Sequence, residues 1–292
     1  MHILELKRLF NEIPNSNLNI TIGHKSRYKI TMDNRYIDLK NNRERLQQLH
    51  SRYIRNIVSS PENNVFFTEI SWEDVKFRNS SNNTWMNWNF PKSVILNHAL
   101  YSIKEEEIRK KLFGDTPFTR EKEQYESLYN SFNKLPKTPS VYLLIMQAFD
   151  IITFESFISI IHSNNKIFSS IGKFVEIDEI SNQESFIGLG LYKDESSFKN
   201  GKFYFKYMGY GVCLEKLCFI FQYYCDDSKV KICHEKASKE GKSFYSGHIM
   251  IDVENGLCLY GDMEENYVNF DNSIKQEYVR RKITIQLEYD NI

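Results

Sequence analysis

From Val279 to Tyr289 apolar and polar residues take turns: Val279, Ile283, Ile285, Leu287 and Tyr289 share one parity, and Arg280, Lys282, Thr284, Gln286 and Glu288 share the other. Side chains alternate across a strand with a period of two, so this segment is a strand with one apolar and one wet face. Such a strand needs pairing neighbours and a roof over its apolar side. The texture continues backwards to about residue 163, with turn clusters at Lys193 to Gly201, Asp226-Asp227, Lys239 to Gly241, Glu254 to Gly256 and Asn269 to Ser273. These divide the segment into about six or seven antiparallel strands in meander order. Leu214, Leu217, Cys218, Phe219, Ile220 and Phe221 are apolar on both parities, which predicts a central strand covered on each side.

The front half carries a different pattern. Ile3, Leu4, Leu6, Leu9, Phe10 and Ile13 recur at helical spacing up to Pro14, and short alternating runs follow around Leu18 to Ile22, Tyr28 to Met32 and Tyr36 to Leu39. Between Asn41 and Val58 the spacing of Leu46, Leu49, Tyr53 and Ile57 predicts an amphipathic helix that carries Arg43, Arg45, Arg52 and Arg55. A strand is expected at Val65 to Ile70 and a polar loop at Asn79 to Asn83. Further helices are expected at Ser93 to Tyr101, from the capping box at Ser102 to Gly114, and onward from Thr119. Pro136 and Pro139 exclude regular structure between them and set a boundary. Beyond it, Val141 to His162 is read as a helix. The expected fold is α+β: a mainly helical N-terminal region, residues 1–135, packed on a C-terminal antiparallel meander sheet with one leading helix, residues 136–292.

Thirty-eight basic residues balance 38 acidic ones, so no whole-protein field draws in nucleic acid or an anionic membrane. A charged partner has to be met by a local patch. Residues 1–13 hold Glu5, Lys7, Arg8 and Glu12, unlike a signal peptide, and Val141 to Ile161 is interrupted by Gln147, Asp150 and Glu155, unlike a membrane span. Five cysteines, an odd number, point to free thiols in a reducing compartment, and the expectation is a soluble cytoplasmic protein.

No motif assembles a catalytic set. Cys213, Cys218, Cys225 and Cys233 lack the paired spacing of a zinc site, and Cys213, Cys218 and Cys225 read as small apolar fillers along one strand. Cys233 and His234 are neighbours whose side chains diverge in a strand, although His248 on the following strand could approach either. The pairs Glu69 with Asp74, Asp226 with Asp227 and Glu264 with Glu265 read as solvated charge. Asp38-Leu-Lys40 has the acid-x-lysine form of a nuclease strand. No metal or cofactor is expected. The interpretable asymmetry is basic: Lys25, Arg27, Lys29, Arg35, Lys40, Arg43, Arg45, Arg52 and Arg55 crowd one stretch, and Trp85 and Trp88 flank a polar loop. The reading is a non-catalytic binding protein that takes an acidic protein or a nucleic acid through Arg43, Arg45, Arg52, Arg55, Trp85 and Trp88. The alternative is a metal-dependent nuclease or other hydrolase.

Overall fold

The computed structural model describes residues 25–59, 66–80, 82–88, 95–100, 139–185, 197–234, 237–271 and 274–288. Among the described residues, five strands precede a helical segment: β1 (Lys25–Asp38), β2 (Arg43–Ser59), β3 (Phe66–Asn79), β4 (Asn82–Trp88) and β5 (Ile95–Leu100). Helix α1 (Pro139–Ser163) and the single turn α2 (Asn165–Phe168) come next. Three short strands follow, β6 (Phe174–Glu176), β7 (Glu184–Ser185) and β8 (Ser197–Lys199). Five long ones close the chain: β9 (Phe203–Cys213), β10 (Lys216–His234), β11 (Ala237–Asp252), β12 (Cys258–Asp271) and β13 (Ile274–Glu288). All thirteen strands belong to one sheet. Its main path runs β4-β3-β2-β1-β13-β12-β11-β10-β8-β7, with β5 on β3 and with β9 pairing β10 and β6. Strands from both sides of the Pro136–Pro139 boundary therefore share one sheet, joined where β1 pairs β13, Tyr28 against Leu287.

This overturns the α+β expectation of a helical front half. Residues 41–58, read as a helix, form most of β2, and residues 93–101 contain β5. The reason is visible in the burial of β2: Leu49, Ser51, Tyr53 and Arg55 face inward, and the exposed Arg52 faces outward between them. Two of the four inward positions are polar, which erased the apolar alternation and left a chance i, i+3, i+4 match. The helices expected at 1–13, 102–114 and from Thr119 lie outside the described residues. The strand expected at Val65 to Ile70 is the start of β3, and the runs around Tyr28 and Tyr36 are one continuous strand.

The back half follows its pattern more closely. On β13, Ile283, Ile285 and Leu287 are buried, and Arg280, Lys282 and Gln286 are exposed. One correction concerns Leu214. With Glu215 it occupies left-handed backbone, φ 49° and 62°, and makes the two-residue turn that brings Lys216 opposite Cys213. Such turns favour Asn-Gly, so this one carries no turn signal in its sequence.

What roofs the sheet is α1. The described side chains from Leu143 to Ile161 are buried or half-buried, whichever way they point. A helix that is apolar on every side belongs inside a core. The sheet curves around it: Gln147 and Glu155 meet β2, Asp150 meets β13, and Phe157 packs against Phe203 and Phe205 of β9 and Tyr223 of β10. The three polar residues that interrupt the apolar run are the ones that seat it. Ser51 donates to Gln147 Oε1, Arg55 pairs with Glu155 through two hydrogen bonds of 2.7 and 2.9 Å, and Arg281 reaches Asp150 at 2.7 and 2.8 Å. Arg281 also donates to Glu265 at 2.6 Å, and Glu265 accepts from Ser243 at 2.8 Å.

Asp150 shares one guanidinium with a second buried carboxylate. Burial pushes its carboxyl up to about 6; Arg281 opposes that rise and Glu265 adds to it. Between about pH 4 and pH 6 the folded chain holds a proton on Asp150 that the unfolded chain has released, so stability falls as pH rises through that window. Asp38 and Asp227, held below the ordinary carboxylate value, act at lower pH and in the opposite sense. Urea midpoints measured from pH 4 to pH 7 should decline in the wild type and lose that slope in Asp150→Asn. An unchanged slope in the variant would assign the titration to another group.

Candidate functional site

The concave face packs on α1 and on Phe168 of α2, and among the described residues neither helix covers the outer face. Register carries one row of outward positions across the sheet: Tyr204, Tyr224, Ser246, Glu264, Lys282, Asp33, Gln48 and Arg78, each opposite the next on the adjoining strand. Trp85 lies at the far end of that row, half-buried on β4. Its ring centroid is 4.2 Å from that of His50, and the Arg78 guanidinium carbon is 4.8 Å from the Trp85 ring. Arg78 Nε donates to Gln48 Oε1 at 2.7 Å, and Gln48 Nε2 donates to Asp33 Oδ1 at 2.8 Å. The cluster is pre-organised: an indole with a cation and an imidazole against it, and a carboxamide that holds the cation in place. Burial lowers the His50 pKa, Asp33 works against that, and Lys29, Arg78 and Lys76 add to it.

The six residues expected to form the binding surface do not come together. Arg55 is inside the protein against Glu155, 4 % exposed. Arg52 is on the outer face between Glu288 at 2.8 Å and Asp74 at 3.6 Å. Arg43 and Arg45 share the inward parity of Leu49 but are exposed near the start of β2, where Arg45 stacks over Tyr36 at 4.7 Å. Trp88 ends β4 opposite Val75. Trp85 is thus the member that stands at the end of the outward row, and its companions there are His50, Arg78, Gln48 and Asp33. These were missed because their meeting depends on β2 and β3 pairing in register, Gln48 opposite Arg78, which a helical reading of residues 41–58 hides.

The groups considered for catalysis are engaged elsewhere. Asp38 accepts from the Lys40 and Asn41 backbone amides, both at 3.0 Å, and from Asn41 Nδ2 at 2.7 Å, so its carboxylate closes the β1–β2 turn. Cys218 and Cys225 lie on β10 and Cys213 ends β9; burial raises all three thiols, Cys218 to about 11. Thiols held so high are poor nucleophiles at neutral pH. His248 sits opposite Gln222, ten residues along β11 from the Ser238 that faces Cys233, roughly 30 Å at strand rise. It pairs with Asp262 at 3.2 Å instead. Asp74 is taken by Arg52 and Lys76, Asp227 by Lys242, Glu264 by Arg280 and Glu265 by Arg281. Among the described residues no three His, Cys, Asp or Glu side chains gather as a metal site, and no helix is long and apolar enough to cross a membrane.

No family model and no curated relative matches this sequence. Among solved structures it is similar to an outer membrane lipoprotein-sorting protein domain from Vibrio parahaemolyticus, at 7% identity over 91% of this chain and 87% of that one. The TM-score is 0.18, and a likeness that slight carries no argument.

Proposed function

We propose that this chain is a non-catalytic binding protein that takes a polyanionic macromolecule, an acidic protein or a nucleic acid, on the outer face of its curved sheet. The observation that carries the reading is the Trp85 cluster: an indole ring with Arg78 over it and His50 tilted against it, with Lys29 and Lys76 near enough to act on His50, on the face of the sheet turned away from the core. Aromatic and arginine side chains fixed in place are what interfaces use as anchors. Much of the remaining outer charge is internally matched, as in Arg27 with Glu73 and Arg280 with Glu264, and is worth little to a partner. The free thiols of Cys213, Cys218, Cys225 and Cys258 suit the cytoplasm as the place of action. The hydrolase alternative is weakened by Asp38, whose carboxylate oxygens are occupied by the turn.

Trp85 fluorescence should change when the protein is titrated with polyglutamate or with a long mixed-sequence oligonucleotide. Trp85→Ala and Arg78→Ala should each weaken binding by about 10-fold or more, the loss expected of an interface anchor. Binding unaffected by both substitutions, or metal-dependent cleavage of the oligonucleotide that Asp38→Ala abolishes, would overturn the proposal.

A further inference from the structure

At the opposite end of the outer row from Trp85, β6, β9 and β10 carry a second aromatic cluster. Alternation places Phe203, Phe205, Tyr207, Phe221 and Tyr223 in the core and turns Tyr204, Lys206 and Tyr224 outward. The Tyr204 and Tyr224 rings are directly opposite in register and stack at 4.8 Å with 24° between planes. Phe174 of β6, 41 % exposed, stands edge-on to Tyr224 at 4.8 Å, and Lys206 Nζ lies 5.1 Å from the Phe174 ring centre. Three aromatic rings on a solvated face do not serve the core, which already holds the other parity of the same strands.

The surrounding charge is predominantly basic. Lys173 and Lys202 are exposed beside the rings, and Lys199 and Lys229, both exposed, sit directly opposite each other where β8 pairs β10. Like charges directly across a strand pair are destabilising, and here Asp227, which feels Lys229, answers part of that repulsion, with Glu184 opposite Lys199 in register. The acids nearby are Glu176, 3.7 Å from Lys202, with Asp226, Glu184, which stands opposite Lys199 in register, and Asp227, which is paired with Lys242 and also feels Lys229.

We propose that this Phe174–Tyr204–Tyr224 platform binds unpaired bases of single-stranded nucleic acid, with Lys173, Lys199, Lys202, Lys206 and Lys229 following the phosphates. Adjacent-strand aromatics on an exposed sheet face stack bases without regard to sequence, and flanking lysines supply a salt-dependent attraction to the backbone. An acidic peptide would satisfy the lysines but make no use of the ring faces, which favours nucleic acid. The proposal rests on the reading of the outer face as a polyanion surface and assigns the nucleic acid to this end of it.

Some seven strand steps separate Tyr204 from Arg78, roughly 34 Å along the curve at sheet spacing, so a tetranucleotide seated on the platform does not reach Trp85. Fluorescein-labelled single-stranded tetranucleotides and a duplex of equal length are titrated with the full chain by anisotropy at about 50 to 200 mM salt, the range over which phosphate contacts weaken. The single strand is expected to bind more tightly than the duplex and to weaken as salt rises. Tyr224→Ala is expected to reduce its affinity at least about 10-fold. Lys206→Glu, a surface change that leaves the core untouched, should weaken it as well, and Trp85→Ala should leave it unchanged. No binding of the tetranucleotide, equal binding of the duplex, or full binding by both Tyr224→Ala and Lys206→Glu would overturn the assignment. If polyglutamate still binds through Trp85 in that case, the proposed function survives; if neither ligand binds, both fall.

Discussion

Arg281→Ala will cost about 3–5 kcal/mol of folding stability, the usual penalty for removing one partner of a buried ion pair. The guanidinium is 4 % exposed and is the shared partner of Asp150 and Glu265, whose side chains are 0 % and 4 % exposed. Removing it leaves two carboxylates facing each other with water excluded, and one must take up a proton for the chain to stay folded. Urea unfolding at pH 7 measures the loss, and the loss should shrink as the pH is lowered toward 5. Replacing Arg281, Asp150 and Glu265 together with apolar residues of similar volume should recover much of it, because the ion cluster gains little over good packing once its desolvation is counted. A loss below about 1 kcal/mol for Arg281→Ala would mean that these groups stay hydrated in the folded chain.

Phe157→Ala will have a comparable effect, about 3–5 kcal/mol, for a different reason. Its ring is 3 % exposed and lies 5.0 Å from Phe203, 5.8 Å from Phe205, 4.8 Å from Tyr223 and 6.5 Å from Phe154. It is the point at which α1 is wedged into the far wall of the sheet. Truncation leaves a cavity lined by rings that are themselves anchored on β9 and β10, so the site cannot readily collapse. Phe244→Ala, by contrast, removes a ring that is 43 % exposed and should stay within about 0.5 kcal/mol of the wild type. Equal losses for the two substitutions would show that α1 does not organise the core.

How far the sequence could be read follows from these same contacts. Wherever the inward positions of a strand are all apolar, as at Ile283, Ile285 and Leu287, alternation is plain and the two faces of β13 could be assigned. Where α1 supplies a polar partner, the strand must answer in kind. Ser51 and Arg55 on β2 are inward because Gln147 and Glu155 meet them, and from the sequence they look like surface residues. The arginines of β2 could therefore be noticed but not sorted: one is buried, one is on the outer face, and two lie near the start of the strand. Helix α1 itself was legible as a long apolar run, yet its three polar interruptions counted only as evidence against a membrane. The outer-face clusters were not legible, because Trp85 with Arg78 and Tyr204 with Tyr224 meet only through pairing across strands.

The seam between β1 and β13 joins residues far apart in the chain; the Thr31 and Thr284 hydroxyls bonded across it are 253 positions apart. During synthesis at about 5–20 residues per second, β1 to β3 wait roughly 10–40 s before β13 exists to pair with them. Through that interval one edge of β1 offers unpaired amides and carbonyls beside a greasy surface, the arrangement that invites association with other chains. Refolding of this chain belongs with the slow, long-range β topologies.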